Sequence, residues 1–182
     1  MGDILFWEKA YMKEWKIEGK EEHPVETPEG EAGKAAVRAM KILLYKQRSE
    51  QELRQKLQEE GFEADAIDLA VGYCASFGYV NDRKYAENYL LSYRNRKSAR
   101  VIRSELEQRG VASAVIDEAF EEHPYEETEI ADELVRKKAG VPHRLDDREL
   151  RRTYGYLARK GFSSSVIWGA IHRYQEEAAG ED

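Results

Sequence analysis

The stretch SEQELRQKLQEEGFEADAIDLAV, Ser49 to Val71, decides the fold, because the chain repeats it. SARVIRSELEQRGVASAVIDEAF, Ser98 to Phe120, is a second copy, and ELRRTYGYLARKGFSSSVIWGAI, Glu149 to Ile171, is a third. Aligning Gly61, Gly110 and Gly161 gives spacings of 49 and 51 residues. Leu57, Leu106 and Leu157 each precede a glycine by four positions, Ile67, Ile116 and Ile167 follow by six, and Val71, Phe120 and Ile171 follow by ten. Self-similarity at this period marks a helical repeat protein, whose units bury their apolar faces on one another. The expected fold is all-α: tandem three-helix repeats forming an elongated, curved array that presents a surface.

Working outward, Ser49 and Glu52 spell a capping box. The serine hydroxyl satisfies a free backbone N–H and the carboxylate reaches back to the cap. Leu53 and Leu57 are neighbours one turn apart on the helix that follows. Gly61 ends it, since glycine takes a left-handed C-cap at little cost. Glu63 or Asp65 opens the next helix, carrying Ile67, Val71 and Cys74; upstream, Ala36, Met40, Leu43 and Leu44 form the first apolar face. In the second unit Asn81 or Asp82 caps a helix with Tyr85, Tyr89 and Leu90, and Ser98 caps one with Val101, Ile102 and Leu106. The third unit holds Ile130, Leu134 and Val135, then a basic loop KKAGVPHRLDD, then Leu150, Tyr154 and Leu157. Short amphipathic helices of this kind depend on mutual stacking. The expected divisions are 1–33, 34–80, 81–125, 126–175 and an acidic tail 176–182. In the first segment Trp7, Tyr11 and Trp15 recur every four residues as one helical stripe, read as docking on the first repeat, followed by a linker.

Composition excludes several classes of function. The single cysteine, Cys74, rules out an internal disulfide and a cysteine zinc site, and its apolar surroundings read as burial. The four histidines have no metal-ligand spacing, and neither a Walker loop nor a G-x-S-x-G elbow occurs. Asp146–Asp147, Glu121–Glu122 and Glu126–Glu127 read as solvated surface or caps. No cofactor, metal or catalytic residue is expected, no apolar run is long enough for a membrane span, and the protein is expected to be cytoplasmic and monomeric.

Net charge is −7, but it is unevenly placed. Residues 1–33 carry nine acidic and four basic side chains, whereas 83–109 carry eight basic and three acidic, and 136–173 ten basic and three acidic. Local positive fields attract phosphate even on an acidic molecule. The candidate contacts are Arg94, Arg96, Lys97, Arg100 and Arg103 in the second unit, with a phosphate seat at the helix N-terminus after Ser98. Lys137, Lys138, Arg144, Arg148, Arg151 and Arg152 are their counterparts in the third, joined by Arg136, Arg159 and Lys160. Tyr85, Tyr89 and Tyr93 are read as packing rather than base-stacking residues.

Four motifs in order resemble the RecX family, the small regulators of the bacterial strand-exchange recombinase RecA. They are S-x-x-E-L-x-x-K-L-x-x-x-G at Ser49–Gly61, GYVNDRKYAENYLLSYRNRK at Gly78–Lys97, I-R-x-E-L-x-x-R-G at Ile102–Gly110, and R-x-x-x-Y-L-x-R-K-G-F at Arg152–Phe162. The resemblance covers about 34–175 and implies a non-enzymatic protein that binds the RecA filament on single-stranded DNA. Such a protein limits filament assembly, ATP turnover and strand exchange. Direct DNA contact is a second possibility, and a protein-interaction scaffold without nucleic acid a third. A helix-turn-helix reader of base sequence is disfavoured, because the helices after the glycines are acidic or bland.

Overall fold

The computed structural model describes residues 28–180, so the Trp7–Trp15 stripe lies outside the described residues. The chain divides into two compact units, Met1–Asn81 and Asp82–Asp182. Among the described residues all regular structure is helical.

The first unit holds α1 (Gly30–Tyr45), α2 (Glu50–Glu59) and α3 (Ala64–Ser76). The capping box at Ser49 is present: Glu52 N–H donates to Ser49 Oγ at 3.1 Å and Ser49 N–H to Glu52 Oε2 at 3.3 Å. Leu53 and Leu57 are fully buried on α2 and meet Ile67, Val71 and Cys74 of α3. Burial drives the Cys74 thiol up to about 12, so it is a packing residue rather than a nucleophile. The first helix differs from expectation. It begins four residues before Lys34, and its buried face is Ala32, Ala35, Ala36 and Ala39, while Leu44 is exposed. The alanines allow the two backbones to approach closely, which is why α1 makes its most extensive packing against α3.

The remainder of the described chain, from Asp82 on, holds the second and third three-helix units. One comprises α4 (Asp82–Tyr93), α5 (Ala99–Gln108) and α6 (Ser113–Glu122); the other α7 (Glu127–Ala139), α8 (Asp147–Arg159) and α9 (Ser164–Ala179). Leu90, Ile102, Leu106 and Ile116 centre the first core, and Val135, Leu157, Ile167 and Ile171 the second. Burying each such side chain contributes roughly 1.5–3 kcal/mol. The tyrosine stripe packs as expected: Tyr85 is buried, and Tyr89 and Tyr93 lie against the same core. Two boundaries differ. Lys137 and Lys138 sit in the last turn of α7, not in a loop, and Glu176 and Glu177 of the acidic tail are still within α9. There Glu177 pairs with Arg136 at 2.6 Å and Glu176 with His172 at 3.2 Å.

The repeat glycines end all three middle helices alike. Gly61, Gly110 and Gly161 have φ of 87°, 78° and 89°. In each case the N–H of the next residue returns to the leucine carbonyl: Phe62 to Leu57 at 3.3 Å, Val111 to Leu106 at 3.1 Å and Phe162 to Leu157 at 3.4 Å. This is the Schellman closure, with its apolar contact between the returning residue and the leucine.

Candidate polyanion-binding surface

The structure sorts the expected basic contacts by what they already hold. Arg103 pairs with Asp117 and lies 4.2 Å over the Phe120 ring. Lys97 pairs with Glu105 at 2.6 Å and sits 4.2 Å over Tyr93. Burial opposes the Glu105 charge, but hydrogen bonds from Lys97 and Tyr89 outweigh it and hold the carboxyl below its ordinary value. Arg94 donates to the Pro124 carbonyl at 2.9 Å, and Arg100 to that of Gly161 at 3.4 Å. These side chains help hold the second unit together.

The helix N-terminus after Ser98 is occupied by the protein itself. Ser98 is 1% exposed; its hydroxyl caps Val101 and its N–H donates to the Lys160 carbonyl at 2.9 Å. Ala99 N–H donates to Glu127 Oε1 at 2.8 Å. A carboxylate from α7 therefore takes the position read as a phosphate seat, satisfying the same free donors.

A different group of cations converges. Lys160, the C-cap of α8, donates to the Arg96 carbonyl at 3.0 Å and lies 4.9 Å from the centre of the Tyr156 ring. Lys138 approaches that ring at 5.5 Å. Partial burial, then the charges of Lys137, Arg96 and Lys97, lower the Lys160 pKa. Like charges crowd here without enough counter-charge: Arg96, Lys137, Lys138 and Lys160 have no ion pair among the described residues. An incoming anion would relieve that repulsion.

Arg148, Arg152, Tyr156 and Lys160 recur at four-residue intervals, so Arg148 and Arg152 extend the cluster along one edge of α8. Arg151 lies off that edge, and Arg144 sits in the loop before α8; both are exposed. Sequence reading grouped all these residues by proximity along the chain. It gave Lys160 a marginal place and Tyr156 none, although the four-residue spacing would have found both. Among the described residues no group of His, Cys, Asp and Glu could hold a metal ion, and no helix is long and apolar enough to cross a membrane.

Comparison with known proteins covers the same region. Residues 35–74, 81–119 and 125–171 match the family models of the first, second and third three-helix domains of RecX. A regulatory protein RecX of Haemophilus influenzae is 35% identical over 140 residues, covering 75% of this chain and 91% of the relative. That of Amycolatopsis mediterranei is 32% identical, covering 87% and 93%. The crystal structure of RecX from Lactobacillus salivarius superposes with a TM-score of 0.65 over 80% of this chain and 97% of the other, at 24% identity, a likeness of fold. A second crystal structure, of a regulatory protein RecX, gives a TM-score of 0.62 at 26% identity, over 79% of this chain and 72% of the other.

Proposed function

This chain belongs to the RecX family, and we propose on that premise that it regulates the RecA recombinase by stoichiometric binding to the RecA filament on single-stranded DNA. Bound there, it limits filament assembly, ATP turnover and strand exchange, and it performs no catalysis of its own. The observation that supports a polyanion contact is the unneutralised group around Lys160: Lys138, which shares the Tyr156 ring with it, and Arg96 and Lys137, whose charges act on it. A phosphate backbone, or an acidic face of the recombinase, supplies the charge this group lacks.

The test is binding to single-stranded DNA with and without preassembled RecA, while ATP turnover is followed. Preferential binding to the filament with falling turnover is expected. Arg96→Glu with Lys137→Glu changes two exposed side chains without ion pairs, so the thermal transition should stay in place while filament affinity falls about ten-fold or more. If phosphate is the contact, the salt dependence of binding also becomes shallower. Unchanged filament affinity in the folded variant would remove the cluster from the interface.

A further inference from the structure

Counting from the repeat glycine shows where the third unit departs from the others. In the first unit the residues seven before and seven after Gly61 are Arg54 and Asp68, which form an ion pair. In the second they are Arg103 and Asp117, again an ion pair. In the third they are Tyr154 and Trp168, whose rings are tilted by 43° with centroids 5.3 Å apart. A polar link between the middle and last helices has been exchanged for an aromatic one, and Trp168 remains 48% exposed. The Tyr154 hydroxyl is engaged with Ser164 Oγ at 2.7 Å, which fixes the pair on the surface.

The surroundings indicate the kind of partner. Arg151 stands one turn before Tyr154 on the same face of α8, and no carboxylate lies within four residues of either ring. The patch is therefore apolar at its centre, cationic or hydroxylated at its edge, and complementary to an acidic rim around an apolar anchor. Tyr154 and Tyr156 are two residues apart, and at about 100° per residue they leave α8 in nearly opposite directions. The cation cluster around Tyr156 and the aromatic pair thus occupy different faces of one helix.

We infer that Tyr154 and Trp168 form a protein-docking point that takes an apolar side chain flanked by carboxylates. On the reading given under Proposed function, that side chain belongs to a recombinase protomer of the filament. Tryptophan and tyrosine with flanking arginine are the side chains that most often dominate protein interfaces. The third unit then holds the filament on two faces of α8, one charged and one aromatic.

The test is Tyr154→Arg with Trp168→Asp, which installs the ion pair the first two units already use at these positions. Binding is measured to bare single-stranded DNA and to the preassembled filament. The expected result is a native thermal transition, unchanged binding to bare DNA, and filament binding weaker by about ten-fold or more. In parallel, a full-length chain with Trp7→Phe and Trp15→Phe leaves Trp168 as its single indole, and its emission should shift to the blue on filament binding. That second reading decides the matter even if the swap fails to fold. Unchanged filament affinity of the swapped chain, or an unmoved Trp168 emission on a filament that does bind, overturns the inference and leaves the recombinase reading intact. Parallel loss of bare-DNA binding in a folded swap assigns the pair to nucleic acid and overturns the protein partner. A parent chain that binds no filament overturns both.

Discussion

The middle helices of the first and second units begin with the same serine yet are completed from different places. At Ser49 the carboxylate that closes the cap is local: Glu52, three residues on, accepts from the Ser49 N–H. At Ser98 the equivalent position is Val101, which has no carboxylate. The Ser98 N–H goes instead to the Lys160 carbonyl at 2.9 Å, and Glu127 reaches the Ala99 N–H at 2.8 Å. The free donors of a helix start have to be satisfied in either case. In the first unit that requirement stabilises one helix. In the second it joins two repeats, because α7 and the end of α8 supply the partners. The same contact positions the Lys160 ammonium beside Arg96, so the seam between repeats and the cation cluster share one piece of backbone.

The sharpest way to break this comparison is at the glycines. Gly61 and Gly161 both have left-handed φ, 87° and 89°. A methyl group on Gly61 would meet nothing within 4 Å, whereas one on Gly161 would overlap the Val101 side chain and lie 2.6 Å from Ser98 Oγ. Gly61→Ala should therefore cost only the backbone strain, about 1–2 kcal/mol. Gly161→Ala should add an overpacking term, for about 2–5 kcal/mol in all. Urea unfolding of the two variants measures the difference. Equal losses would mean that the seam relaxes freely and that the close approach at Ser98 contributes no rigidity.

A smaller effect comes from the carboxylates. Glu52→Ala and Glu127→Ala should each cost roughly 1 kcal/mol, the usual scale for a lost cap contact. They should differ in where the loss appears. Amide hydrogen exchange should quicken at Ser49 in the first variant and at Ala99 in the second, 28 residues from the substitution. Protection of Ala99 that survives Glu127→Ala would show that the seam does not depend on this contact.

What the sequence disclosed follows from how far apart the interacting residues lie. The Ser49–Glu52 box, the Schellman glycines and the Leu57, Leu106 and Leu157 core positions are local patterns repeated three times, so each copy corroborates the others. The alanine face of α1 was harder to read, because alanine marks close helix packing only when the facing helix is known. The helix start at Ser98 reads as a phosphate seat because the carboxylate that fills it, Glu127, lies 28 residues from Ala99 in an acidic run that reads as solvated surface. Arg103, grouped with Arg96 by charge alone, differs from it in already holding a partner, for a related reason. Asp117, the Arg103 partner, sits across the glycine turn at 14 residues' distance, as Asp68 does from Arg54. That pairing was visible in the register of the repeats, and so was its replacement by Tyr154 and Trp168.

The third middle helix gives the comparison its finest test. Its cap is again local: Asp146 accepts from the N–H groups of Arg148 and Glu149 at 2.8 Å, and Glu149 accepts from Asp146 N–H at 3.1 Å. Here, however, the box carboxylate is shared with a titrating neighbour. His143 Nε2 lies 3.3 Å from both Glu149 oxygens, while Nδ1 faces the Val141 carbonyl at 2.9 Å and the Tyr174 hydroxyl at 3.1 Å. The Val141 carbonyl and then Glu149 raise the His143 pKa above its ordinary 6.5. A raised histidine value means that the protonated form favours the folded state. Its stabilisation is complete below 6.5 and fades as pH rises through the raised value. The imidazole is exposed to water, so the effect is small. His143→Gln should lower the thermal midpoint slightly under acidic conditions and leave it unmoved at alkaline pH. Glu52→Gln, in a box with no histidine, should show no such pH dependence above the carboxylate range. A His143→Gln deficit that is constant across this range would make the residue a hydrogen-bonding spacer between the loop and α9. One that vanishes with deprotonation would make the third cap the only one of the three whose strength follows pH near neutrality.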